Sequence, residues 1–143
     1  MLKVKLLQAG ARAPTVAHPG EDLGYDVYCA VSVIIPAHGQ AMVSTGIAVE
    51  CSSPIGDPLG ALLRDKSSMA VRRLTVTGGV IDSGYRGEIR VLMENLGDAA
   101  AEIKAGDKIA NLIPYPVLTG AVTVVEELAD SSRKDGGFGS SGR

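Results

Sequence analysis

Apolar and polar residues alternate along this chain in short runs. Over residues 41–49 the odd positions carry Ala41, Val43, Thr45, Ile47 and Val49. Over residues 88–95, Ile89, Val91 and Met93 alternate with Arg90 and Glu94. Period-two alternation sends successive side chains to opposite faces of a pleated strand, so both runs predict strands with one face buried. The runs at 3–7, 31–35, 74–76, 108–113 and 122–125 read the same way, or as strands buried on both faces. Turn-forming clusters separate them: Pro19-Gly20, residues 36–39, residues 53–58, Gly97-Asp98 and Gly106-Asp107. No stretch of helical period exceeds about 10 residues. The best short-helix candidate is 67–73. Many short strands with regular turn punctuation predict an all-β domain, either a sandwich or a jelly-roll-like barrel.

Length and charge narrow the function classes. At 143 residues the chain suits one domain with one core. A hydrophobic share of 45% is too high for a disordered chain. The formal net charge of -2 argues against general binding to nucleic acid or to a membrane surface. Any anion site must therefore be local, built from a few positioned cations and backbone amides. Cys29 and Cys51 are far apart and outside any CxxC spacing, which predicts buried thiols in a reducing compartment. Residues 1–7 are too short and too charged for a secretory signal, and no apolar run approaches the roughly 20 residues of a membrane span. A cytoplasmic protein is expected. His18 and His38 fall in predicted loops and read as surface residues.

The character of the chain changes near its end. Residues 1–130 carry the strand pattern, whereas 131–143 are rich in Gly and Ser with almost nothing to bury. That predicts a β-domain followed by a flexible segment. The single phenylalanine of the whole chain, Phe138, stands in this segment beside Gly139. An aromatic ring flanked by glycines suits stacking on a flat ligand. Arg133, Lys134, Ser140 and Ser141 surround it with donors suited to phosphate.

Four further constellations could carry chemistry. Gly79-Val80-Ile81-Asp82-Ser83-Gly84-Tyr85-Arg86-Gly87-Glu88 places a carboxylate at a strand end, then a turn and an aromatic. That suits general-base work, although an ordinary hairpin has the same composition. Arg64-Asp65-Lys66-Ser67-Ser68-Met69-Ala70 reads as a strand end entering a short helix. Lys66 and the free amides there could hold phosphate, or a serine could simply cap the helix. Gly24-Tyr25-Asp26-Val27 is a turn followed by a strand, and Gly106-Asp107-Lys108-Ile109-Ala110-Asn111-Leu112 is a turn entering one.

In this order, the five constellations resemble the five motifs of the trimeric dUTPase family, from Gly24 to Gly142. The resemblance implies a homotrimer of jelly-roll-like, β-clip-type distorted barrels with shared active sites between subunits. It implies hydrolysis of dUTP to dUMP and pyrophosphate, which limits uracil in DNA and supplies dUMP for thymidylate synthesis. Asp82 matches the carboxylate that activates water. Tyr85 matches the aromatic that packs under deoxyribose and leaves no room for a 2′-hydroxyl. The hairpin around Val76, Gly79 and Val80 matches the backbone that reads the uracil edge. Lys66, Ser67, Ser68 and Asn111 match phosphate-contacting positions. Phe138 and Gly139 match the part of the closing segment that covers uracil, and Arg133, Ser140 and Ser141 match its γ-phosphate contacts. On this resemblance 131–143 is an active-site lid. Asp26 matches an acid that supports the site or the water shell of Mg²⁺. That Mg²⁺ rides on the triphosphate, without a direct protein ligand.

Two residues depart from the family pattern: Lys66 stands where Arg is usual, and Asn111 where Gln is usual. Lys neutralises phosphate without a planar fork, and Asn reaches about one methylene less. The segment 70–82 is also short for the family. These departures keep a dUTP-binding regulatory module open as an alternative. A dCTP deaminase relative is the other, with Glu88 as its catalytic acid, but Glu88 fits a strand start better.

Overall fold

The computed structural model describes residues 1–131, which form eleven strands and one short helix. In chain order these are β1 (Leu2–Leu6), β2 (Tyr25–Tyr28), β3 (Val33–Ile35), β4 (Gln40–Ser44), β5 (Ile47–Ser52) and β6 (Pro58–Asp65), then α1 (Ser67–Val71). After the helix come β7 (Leu74–Thr77), β8 (Val80–Ile81), β9 (Arg90–Asn95), β10 (Ala101–Ile103) and β11 (Lys108–Pro116). The largest sheet has the order β1-β5-β6-β11-β2, with β8 added beside β6. A second sheet is β4-β9-β7, and β10 pairs with β3. Every pairing is antiparallel. This is the all-β, jelly-roll-like architecture that the alternation predicts.

One apolar cluster fills the interior and draws on all three sheets. Val27, Ile47, Leu63 and Leu112 enter it from the large sheet, Val43, Leu74, Val91 and Met93 from the second, and Ile35 and Ile103 from the β3–β10 pair. Each fully buried aliphatic side chain of this kind stabilises the fold by about 1.5–3 kcal/mol relative to exposure. Asn95 is buried among them with its amide satisfied. Its Nδ2 donates to the carbonyls of Ile35 at 3.1 Å and Ala99 at 2.8 Å, and its Oδ1 accepts from the amide of Gly97 at 2.9 Å. It thereby ties β9 to β3.

The alternating run at 41–49 is two strands, not one. Gly46 takes a φ of 65°, which favours glycine, and the chain leaves β4 in one sheet for β5 in another. Val43, Thr45, Ile47 and Val49 are all buried, but Ala48 is buried as well, so beyond the break β5 is covered on both faces. The Thr45 hydroxyl donates to the carbonyl of Ile89, so the one polar member of that row is satisfied. The helix stops at Val71, two residues before its predicted end, because Arg73 adopts a left-handed φ of 60°. Pro58, read as part of a turn, opens β6, a position where its missing N–H is tolerated. Val122 and Val124 form no strand and are 92% and 93% exposed. Alternation gives them a face, but no strand among the described residues pairs with them.

Candidate active site

The Gly79–Glu88 constellation is a hairpin fastened at both ends. The carboxylate of Asp65 accepts from the amide of Val76 at 2.5 Å and from the hydroxyl of Thr75 at 3.0 Å, which fixes the start of β7. Beyond the turn, the carbonyl of Gly79 accepts from the amide of Leu63 at 2.7 Å. Val80 and Ile81 then pair with Leu62 and Ala61 of β6. Asp82 follows directly, exposed and at a strand end. Among the described residues its carboxylate makes no hydrogen bond or ion pair. Its carbonyl accepts from the amide of Tyr85 at 3.0 Å, closing a tight turn.

That turn sets the Tyr85 ring. The phenol donates to the carbonyl of Glu88 at 3.0 Å and lies directly over Gly87. Glu88 holds the far end. Its carboxylate accepts from the Ser44 hydroxyl, from the amide of Gly46 at 2.9 Å and from Arg90 Nε at 2.9 Å. Burial pushes the Glu88 carboxyl up, but these donors outweigh it and hold the group below its ordinary value. A carboxylate so engaged is a structural anchor. Val80, Asp82 and Tyr85, with Met42, Ile81, Glu88 and Arg90, line an open cavity of about 420 Å³.

A second cavity, of about 510 Å³, gathers Asp26, Arg64, Lys66, Lys108 and Asn111. Strand pairing builds its floor. Asn111 of β11 stands opposite Asp26 of β2 on one side and Arg64 of β6 on the other. Asp26 is nearly buried and takes an ammonium on each oxygen, Lys66 at 2.6 Å and Lys108 at 2.7 Å. Burial raises the Asp26 carboxyl, but hydrogen bonds and charge from Lys108 and Lys66 more than offset this and lower it. Lys108 is raised in turn, first by its hydrogen bond to Asp26 and then by the charge there.

The two cavities have no lining residue in common. Within one chain the structure brings Asp82, Tyr85 and Val80 together, and separately Asp26, Lys66 and Asn111. Ser67 and Ser68 open α1 next to Lys66 with exposed side chains, and Lys66 itself, not a serine, is the N-cap. Val76 packs against the core, and neither it nor Gly79 lines either cavity. Arg133, Phe138, Gly139, Ser140 and Ser141 lie outside the described residues. Arg64 and Lys108 are the site residues that pattern reading did not single out. Their membership appears only when β2, β11 and β6 are laid side by side.

The profile of the dUTPase family matches residues 11–142. The chain belongs to the dUTPase family. It is 40% identical over 144 residues to the deoxyuridine 5'-triphosphate nucleotidohydrolase of Picosynechococcus, covering 99% of this chain and 98% of that one. The corresponding enzyme of Candida albicans is 40% identical over 149 residues, covering 99% and 88%. Among solved structures, a mutant dUTPase of Staphylococcus bacteriophage 80alpha with dUpNHpp superposes at a TM-score of 0.90 and 27% identity, over 100% of this chain and 99% of that one. A mutant dUTPase of S. aureus phage phi11, described for its coordination of a structural Mg(II) ion, gives 0.81 and 25% over 91% and 99%.

Proposed function

We propose that this chain hydrolyses dUTP to dUMP and pyrophosphate, with Asp82 as the base that activates water. The observation that carries this is the Asp82 carboxylate, exposed, without a partner among the described residues, and directly after a firmly anchored strand pair in a dUTPase-family fold. A free carboxylate on a rigid element can take a proton from water at neutral pH. The water oxygen bonds to the α-phosphorus, its proton passes to Asp82, and the bond from that phosphorus to the α,β-bridging oxygen breaks. Pyrophosphate leaves with that oxygen. Tyr85, braced over Gly87, packs under the deoxyribose and excludes a 2′-hydroxyl. Lys66, Ser67, Ser68 and Asn111 hold phosphate, Val76, Gly79 and Val80 present backbone to uracil, and Asp26 supports Lys66. Arg133, Phe138, Gly139, Ser140 and Ser141 belong to the closing segment of the same reading.

Among the described residues no three His, Cys, Asp or Glu side chains converge to hold a metal, and both Asp26 oxygens are engaged by lysines. A hard cation here would take its oxygens from the triphosphate and from water. Mg²⁺ bound in that way would neutralise charge on the departing pyrophosphate.

Our reading places the complete site between subunits of a homotrimer. Two features support it. The half-sites occupy separate cavities of one chain, and Leu118, Val122, Val124 and Leu128 after β11 stand fully open to solvent. Apolar side chains exposed together mark a surface that associates. We also take the enzyme to be cytoplasmic, where the free, buried Cys29 and Cys51 stay reduced. No helix among the described residues is long and apolar enough to cross a membrane.

The test is pyrophosphate release from dUTP, dCTP, dTTP and UTP with Mg²⁺. Release from dUTP alone is expected. Ammonia from dCTP would move the chain to deaminase chemistry, and tight dUTP binding without release would make it a regulatory module.

A further inference from the structure

We infer that Arg64 binds the triphosphate, supplying the planar guanidinium that Lys66 cannot. This rests on the dUTP-hydrolysis reading above and gives a role to a residue to which the family resemblance assigns none.

Position comes first. Arg64 stands opposite Asn111, which stands opposite Asp26 on the next strand. Paired residues of antiparallel strands project from the same face of a sheet. The three side chains therefore form one row across β6, β11 and β2, and all three line the 510 Å³ cavity. Among the described residues its lining holds no Phe, Tyr or Trp, and its cations and amide suit a polar, anionic group.

Charge comes second. Lys66 is held 2.6 Å from Asp26 Oδ1, and its side chain is only 24% exposed. Its ammonium is already matched by a carboxylate. Lys108 is matched by the same carboxylate at 2.7 Å. The other two carboxylates in the cavity are also engaged. Asp22 accepts from the amides of Ala17 and His18, at 3.1 and 2.9 Å. Asp65 accepts from Thr75 and Val76. Arg64 is exposed and makes no hydrogen bond or ion pair among the described residues. It is the cation of this cavity that remains open to a ligand.

Chemistry comes third. A guanidinium offers parallel N–H donors that match two phosphate oxygens, whereas an ammonium is a point charge. Asn111, the neighbour of Arg64 in the row, is a short amide. A long Arg from the adjacent strand restores both reach and fork to the phosphate side of the site. Lys66, held by Asp26, adds point charge to the same phosphate group without the fork.

Calorimetric titration of the full chain with dUpNHpp and with dUMP tests this. Arg64→Ala is expected to weaken dUpNHpp binding about 10- to 100-fold, the loss typical of a charged hydrogen bond. Binding of dUMP, which lacks the two outer phosphates, should stay within about twofold. Arg64→Lys should recover only part of the loss. Unchanged dUpNHpp binding in Arg64→Ala, beside a wild-type chain that binds it, would overturn the assignment while leaving the dUTPase reading intact. Equal weakening of dUMP would overturn it too, by making Arg64 structural. A wild-type chain that neither binds dUpNHpp nor hydrolyses dUTP would remove the functional reading and Arg64's role together.

Discussion

The backbones of Gly79 and Leu63 approach so closely that no side chain fits between them. The Leu63 amide donates to the Gly79 carbonyl at 2.7 Å, and a Cβ on Gly79 would overlap the Leu63 carbonyl oxygen. Backbone cannot yield as a flexible side chain can. Gly79→Ala should therefore cost about 1–3 kcal/mol, the range for overpacking. Gly84 has open space around its Cβ position, so Gly84→Ala should change stability by no more than about 0.5 kcal/mol. Denaturant unfolding of both variants decides the matter. Equal stabilities would mean that the contact is not tight in solution.

Tyr85 depends on Gly87 in a similar way, with a different consequence. A Cβ on Gly87 would overlap the Tyr85 phenol oxygen and ring. Because Tyr85 is 46% exposed, the ring can swing outward at little cost to the fold. Gly87→Ala should leave the melting temperature nearly unchanged and erode the preference for dUTP over UTP by about tenfold or more, as expected when a steric gate is displaced. The ratio of kcat/KM for the two nucleotides measures this. A ratio equal to wild type would remove Tyr85 as the sugar gate.

Much of this was legible in the sequence because strand parity is a local property. Val43, Thr45, Ile47 and Val49 are buried as read and Ala41 is half-buried, although Gly46 switches sheets between them. The hairpin at Asp82 and Tyr85 was legible for the same reason, since its turn residues, acid and aromatic lie within ten residues. Val122 and Val124 misled because alternation describes a face without supplying a partner strand. Arg64 was not singled out because its place in the site depends on pairing across 47 positions to Asn111, and no local pattern carries that register. The two lysines on Asp26 come from loci 40 and 82 residues away, and were hidden for the same reason.

Asp82 has no side-chain partner among the described residues, so its removal should separate catalysis from folding. Asp82→Asn keeps shape and deletes the base. Its kcat for dUTP should fall about 10²- to 10⁴-fold, the usual contribution of a positioned general base. Binding of dUpNHpp and the unfolding midpoint should stay near wild type. Near-normal turnover would exclude Asp82 as the base, and a large fall in stability would show a structural role that the geometry does not contain.

Asp26 should show the opposite coupling, in which folding depends on charge. Its two lysine partners hold the folded-state carboxyl below the ordinary value of 3.8. A folded value below the unfolded one means that folding is favoured wherever the carboxyl is ionised. The contribution is thus complete above pH 3.8 and is lost as the pH falls from there through the folded-state value. Asp26→Asn leaves the Lys66 and Lys108 ammoniums facing a neutral amide and should destabilise the protein at neutral pH by about 1–3 kcal/mol. In acid the gap between variant and wild type should narrow, because wild-type Asp26 is then protonated as well. Glu88, lowered in the same way from 4.5, keeps part of the acid sensitivity in both proteins. Denaturant unfolding of the pair at neutral pH and again at about pH 3 reads the difference directly. A gap of the same size at both values would show that Asp26 holds its lysines through shape and hydrogen bonding, with no ionisation linked to folding.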